Sequence, residues 1–274
     1  MKDEVCAIWA FDPQEDAAPP SRSAIESMKE YRVFPVAVLP SRSCVQYEKI
    51  NSYLKSFEAE NFEEPTILPV VGSRQAQIAK TLEFAVDRQA SLIALTSPGK
   101  AGLEHFFLGT FAERLLEASN IPILFLTAEE LNPVARHRAV FATDFSLNSK
   151  VAFQKFIEFA KHSVREIILF HANQIPTQMM GTSEVSGTPM VVPDPAYEEE
   201  RIWDESEAQL WREELERPGI RLHSIVRGTY GSFSDSIRDI CKRERIAIVG
   251  TTHEQGALEK QPGLVWILNT DKKK

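Results

Sequence analysis

Two stretches of this chain, PVVGSRQAQIAKTLEFAVDRQASLIAL (residues 69–95) and SIVRGTYGSFSDSIRDICKRERIAIVG (residues 224–250), run through the same order of apolar strand, glycine turn, amphipathic helix and apolar strand. The parallel extends upstream, where CAIWAFD ends at Asp12 and AVFATDFS carries Asp144 at the matching place. A repeat of this size means that one supersecondary plan is used twice. Short β-branched and aromatic runs alternating with longer helical patterns mark that plan as βαβ units around a mostly parallel sheet.

Strands are therefore expected at 5–11, 33–39, 66–71, 92–96 and 122–126, and again at 138–143, 166–171, 221–226, 246–250 and 264–268. The fold class is α/β: two repeated, open, mostly parallel five-stranded sheets with flanking helices. The first domain spans 1–130 and the second 137–270, joined near TAEELNPVARH (127–137), where Pro133 and polar residues follow the fifth strand. Ser23 to Glu26 and Thr110 to Glu113 each fit the S/T-x-x-E capping box, which predicts helix starts there. Asp194-Pro195 predicts a helix through about Glu216, with an acidic solvated face opposite a packed one that draws on Trp203, Leu210, Trp211 and Leu215. The irregular 174–195 segment reads as a tolerated insertion or a lid.

Composition narrows the function classes. A net charge of -8 disfavours a phosphate backbone, so no nucleic-acid partner is expected. No apolar run approaches the roughly 20 residues of a membrane helix, and the short apolar stretch in MKDEVCAIWAFD ends at Asp12. No membrane role and a cytoplasmic location follow as expectations. Cys6, Cys44 and Cys241 are widely separated and the six histidines lack ligand spacing, so no metal site is expected.

Catalytic motifs are missing as well. Gly99-Lys100 is followed by Ala101 rather than a hydroxyl residue, which rules out a Walker loop, and neither first strand opens into G-x-G-x-x-G. No G-x-S-x-G or H-E-x-x-H occurs, and no catalytic residue is assigned. One stretch remains, TSPGKAGLEHFFLGTFAERLLEAS (96–119), which leaves the end of a strand and enters a helix near Thr110. Glycines there can expose backbone N–H groups, and a helix start attracts anions. The same glycines serve equally well as plain turn and cap residues.

These residues resemble the universal stress protein family, in a tandem form that covers nearly the whole chain and has an adenine nucleotide alpha hydrolase-like fold. Members that bind ATP carry G-x-x-G, nine residues, then G-[ST]. Gly99, the nine residues 100–108 and Gly109-Thr110 match the second part, with Thr96 where the first glycine belongs. The resemblance implies Asp12 on the adenosine side, Val38 against the base, and Gly99, Gly109, Thr110 and Phe111 around the phosphates of ATP, with magnesium accompanying it. It also implies that the fifth strands, IPILFL and LVWIL, pair as in a family dimer.

In the second half Gly250 aligns with Thr96, and Gly263 follows it by 13 positions where Ile121 follows Thr96 by 25. The second repeat is therefore expected to lack its last helix and to bind no ATP in the family manner. The leading expectation is a stress-response protein acting as a nucleotide-responsive or protein-binding regulator, with a protein partner or self-association. A weak ATP hydrolase or nucleotidyl-transfer enzyme, and a ligand-free dimerisation scaffold, are the alternatives.

Overall fold

The computed structural model describes residues 5–11, 20–39, 60–70, 73–96, 110–174, 195–229, 233–252 and 264–268. The first half supplies β1 (Val5–Phe11), α1 (Arg22–Glu26), β2 (Tyr31–Leu39), β3 (Thr66–Pro69), α2 (Arg74–Asp87), β4 (Ala90–Thr96), α3 (Thr110–Ala118) and β5 (Ile123–Leu126). The second supplies β6 (Arg138–Ala142), α4 (Leu147–Ala160), β7 (Glu166–Gln174), α5 (Pro195–Leu215), β8 (Arg221–Thr229), α6 (Phe233–Glu244), β9 (Ile248–Thr251) and β10 (Leu264–Ile267). All ten expected strands are present, with ends shifted by a few residues.

They form one sheet rather than two, in the order β3-β2-β1-β4-β5-β10-β9-β6-β7-β8. Within each half every pairing is parallel, and the halves meet through the antiparallel β5–β10 pair, Leu124 opposite Trp266. The expected pairing of the fifth strands is thus made inside one chain. Alternation along each strand sends Ala7 and Trp9 to one face and Ile8 and Ala10 to the other. On the first face one core runs through both halves under α1, α4 and α5. The opposite face holds two clusters, one with α2 and α3 and one with α6.

Helix faces follow from spacing. In α5 the buried positions are Asp204, Ala208, Trp211 and Leu215, a single stripe at i, i+4, i+7 and i+11, while Trp203 and Leu210 are 53% and 54% exposed. Of the four apolar residues expected on the packed side, only Trp211 and Leu215 reach it. In α4, Phe153 and Phe156 press into the core, the former stacked on Trp211 at 6.0 Å and the latter edge-on to Trp266 at 5.2 Å. Burying an aromatic ring of this kind stabilises by about 2–3 kcal/mol, so two facing rings per helix suffice to seat it.

Two sequence expectations need correction. The cap of α1 is Ser21, whose hydroxyl accepts from the Ala24 N–H at 3.2 Å. Ser23 lies inside the helix, and its hydroxyl instead accepts from the Leu131 N–H at 2.7 Å. The 127–137 segment is consequently tied down: Glu130 accepts from the Arg22 and Ser23 N–H groups, and Arg136 pairs with Glu26. The Ser23 hydrogen bond is the main influence holding the Glu130 carboxyl below its usual range.

The alignment of Gly250 with Thr96 also fails. Trp9 pairs with Ala94, and Phe141 with Gly250, so matching Asp12 to Asp144 puts Ala94 in the place of Gly250. Thr252 is then the counterpart of Thr96. The twelve residues 252–263 separate β9 from β10, against the twenty-six of 97–122 between β4 and β5. Residues 253–263 lie outside the described part, so the expected loss of a helix there stays with the sequence. What is visible is that Val265 and Ile267 of β10 pack in the cluster of Phe111, Leu115 and Leu116, beneath the first half's α3.

Candidate functional site

In the order β3-β2-β1-β4-β5 the chain leaves β1 and β4, which are neighbours, toward opposite faces of the sheet. Ala24 and Met28, in and just after α1, pack in the core on one face, and Leu115 of α3 packs on the other. A crevice opens at such a divergence, beyond the C-terminal ends of the strands, and α/β sheets bind ligands there. In this sheet the divergence falls beyond Phe11 and Thr96.

Four of the seven predicted site residues fall in the described part. Val38 is the penultimate residue of β2 and is 2% exposed, its side chain packed in the core with Ile8, Ala10 and Val36. Thr96 closes β4, half-buried, and its hydroxyl oxygen accepts from the Trp9 indole N–H at 3.0 Å, linking the two strands that flank the divergence. Thr110 is the first residue of α3, which places helix N–H groups without intrahelical partners at the end of this loop. Phe111 is 3% exposed with its ring in the core, so any part it plays toward phosphates is through its backbone N–H. Asp12, Gly99 and Gly109 lie outside the described residues.

The structure adds two residues that sequence reasoning passed over. Trp9 is fully buried and fixes Thr96. Arg74, the first residue of α2, places its guanidinium 5.8 Å from the centroid of the Phe111 ring and donates to Gln77 Oε1 at 3.1 Å. That brings a permanent positive charge beside the start of α3. A cation in the first turn of a helix opposes the helix dipole, and this misfit in VVGSRQ was the signal available in the sequence.

The matching place in the second half is arranged differently. Asp144 Oδ1 accepts from the Ser146 N–H at 3.0 Å and from the Ser149 hydroxyl at 2.5 Å, and Ser149 Oγ lies 3.2 Å from Thr252 Oγ1. These contacts join the ends of β6 and β9 and cap α4, whose own cap is Ser146. Behind them, His171 Nδ1 donates to the Thr143 carbonyl at 2.6 Å, while Asp204 Oδ2 accepts from Asn173 at 2.7 Å and lies 3.4 Å from His171 Nε2. Side chains that in an open crevice would meet a ligand here meet one another.

An adenine nucleotide suits this place in one respect: the start of α3 with Arg74 offers donors and positive charge for phosphates, whereas Val38, 2% exposed, presents almost no surface to a base. Thr96 runs against it, because its side chain stands where the family motif has glycine. Magnesium would come with the phosphates, and no described side chain is assigned to it. Among the described residues no group of three or more His, Cys, Asp or Glu is placed to hold a metal ion, and no helix is long and apolar enough to cross a membrane.

Residues 23–126 match the model of the universal stress protein family. In fold the chain is similar to a universal stress protein from Archaeoglobus fulgidus, with a TM-score of 0.64, 12% identity, and 95% of this chain and 97% of that one covered. It is similar also to a functionally unknown protein from Pseudomonas aeruginosa, with a TM-score of 0.62, 11% identity, and coverage of 97% and 93%. No curated protein matches in sequence. At such identities the structural likenesses speak to the fold alone.

Proposed function

We propose, for a chain whose residues 23–126 match the universal stress protein family, that it is a nucleotide-responsive regulator with a single adenine-nucleotide site in its first half. The observation that supports this reading is the divergence of the chain after the neighbouring strands β1 and β4, with α3 starting at Thr110 and Arg74 beside it. Asp12 would lie toward the ribose, and the Thr110 and Phe111 N–H groups with Gly99, Gly109 and Arg74 around the phosphates. The second half contributes the other five strands and a crevice whose polar groups are already engaged. Ligand binding would bias whichever surface a protein partner reads.

The domains are read as 1–130 and 137–270, sharing one core as a dimer-like unit in one polypeptide. A regulator rather than an enzyme is favoured because no general base or magnesium carboxylate is assigned, and fold likeness supplies no chemistry. The second reading is a ligand-free scaffold, and Thr96, held by Trp9 at the position of the motif glycine, favours it. Competition with a fluorescent ATP analogue separates the two. Gly109→Val abolishes binding and Gly256→Val does not if the site is in the first half. Equal binding by both variants removes the assignment, and no binding by the parent chain leaves the scaffold.

A further inference from the structure

Of the eight large hydrophobic residues exposed among the described residues, five sit on two adjoining helices of the second half: Leu147 and Val151 on α4, and Ile202, Trp203 and Leu210 on α5. The two helices meet through stacked Phe153 and Trp211 and, nearer solvent, through the Lys150–Glu214 ion pair. That ion pair shows which way each helix is turned. Trp203, Glu207, Leu210 and Glu214 fall at i, i+4, i+7 and i+11, one residue ahead of the buried stripe of α5, and so share the side that Glu214 presents to α4. Leu147 stands one turn before Lys150 on α4 and is 82% exposed. Apolar side chains thus border the α4–α5 contact from both helices, with Trp203 and Leu210 about 10 Å apart along the axis of α5. An exposed apolar cluster of this kind marks an interaction surface.

Charge decides what covers it. Glu199 and Glu200, one turn before Trp203, and Glu207, between Trp203 and Leu210, have no ion pair among the described residues, whereas Glu198 and Glu205 are taken by Arg201 and Glu214 by Lys150. An apolar stripe set among free carboxylates repels a second copy of this chain, which carries a net charge of -8, and repels an anionic membrane or a nucleic acid as well. It attracts a cationic segment with an apolar face. A helix that carries apolar anchors two turns apart matches the spacing of Trp203 and Leu210.

We propose that the Trp203–Leu210 side of α5, with Leu147 of α4, docks a basic amphipathic helix of a protein partner. Trp203 and Leu210 take its apolar residues, and Glu199, Glu200 and Glu207 take its Lys or Arg side chains. The second half builds this surface alone, and the test is run without nucleotide, so its failure leaves the nucleotide site standing. A fluorescein-labelled helical peptide of Leu and Lys, with Leu at i, i+3, i+4 and i+7, is titrated with the full chain and its anisotropy followed. Saturable binding tighter than about 100 μM is expected, weakened about tenfold by Trp203→Ala. Glu199→Gln combined with Glu200→Gln, or a rise in salt from about 50 mM to about 500 mM, should weaken it several-fold. Ile202→Ala should leave it unchanged, because Ile202 is as exposed as Trp203 but lies about 100° round the helix, away from α4. Trp203 and Ile202 are both half-exposed, so both variants keep the fold, which circular dichroism checks. No saturation by about 100 μM, equal binding of a scrambled peptide or of one with Glu in place of Lys, or an equal loss in Ile202→Ala would each overturn the proposal. So would a dimer in sedimentation velocity that Trp203→Ala dissociates, which would make a second copy the occupant.

Discussion

Gly250→Ala tests how the two halves share a core. Across the joined sheet, Trp9, Ala94, Leu124, Trp266, Gly250 and Phe141 form one row of paired residues, in which the small Ala94 and Gly250 each sit between two large side chains. A methyl group on Gly250 would lie 2.7 Å from Phe141 Cδ2 and 2.8 Å from Phe156 Cδ2 and Cε2, against the roughly 3.5–4.0 Å at which carbon atoms attract. Neither ring can retreat. Both are fully buried, and Phe156 is already against Trp266 at 5.2 Å. One added carbon in so tight a place costs about 2–3 kcal/mol, a fall in Tm of about 5–10 °C for a chain of this length. Urea unfolding followed by tryptophan fluorescence measures it. Phe156→Leu should recover about 1–2 kcal/mol of the loss in a double-mutant cycle. A Gly250→Ala variant within about 0.5 kcal/mol of the parent would refute the packing argument, and so would additivity of the two changes.

Asp204→Ala removes the acceptor of buried Asn173 and the neighbour of His171, and urea unfolding should show a loss of about 2–4 kcal/mol; a loss no larger than that of exposed Glu205→Ala contradicts it. Tyr31 ionises near 10 when unfolded and near 12 when folded, chiefly because it is buried. Its contribution is therefore complete below about pH 10 and lost as pH rises toward about 12, and Tyr31→Phe should remove about 2–3 kcal/mol of alkaline destabilisation between urea midpoints taken at about pH 9 and about pH 12. Thr96→Gly leaves the Trp9 N–H without its acceptor and should cost about 1–2 kcal/mol of stability while raising nucleotide affinity by calorimetry; lower affinity counts against Thr96 as the obstruction.

The strands were legible because buried parallel strands are short apolar runs that helices separate, and ten such runs stand out in this chain. Their order across the sheet was not, since nothing local in IPILFL or LVWIL distinguishes pairing within a chain from pairing between chains. The capping-box pattern pointed to Ser23 alone, and the position of Leu131, more than a hundred residues on, is what engages that hydroxyl and leaves the cap to Ser21. The match of Gly250 to Thr96 failed by two residues because a strand's alternation makes such a slip invisible to hydrophobic pattern. Around the β1–β4 divergence, Val38 and Thr96 were named by resemblance. Trp9 and Arg74 were not, because each acts through a partner distant in sequence: Thr96 for one and Phe111 for the other.

Titration calorimetry of the full chain with ATP and magnesium addresses the central claim directly. One nucleotide bound per chain, lost in Gly109→Val and retained in Gly256→Val, is the predicted result. Two sites per chain, or no heat of binding at about millimolar nucleotide, contradicts it.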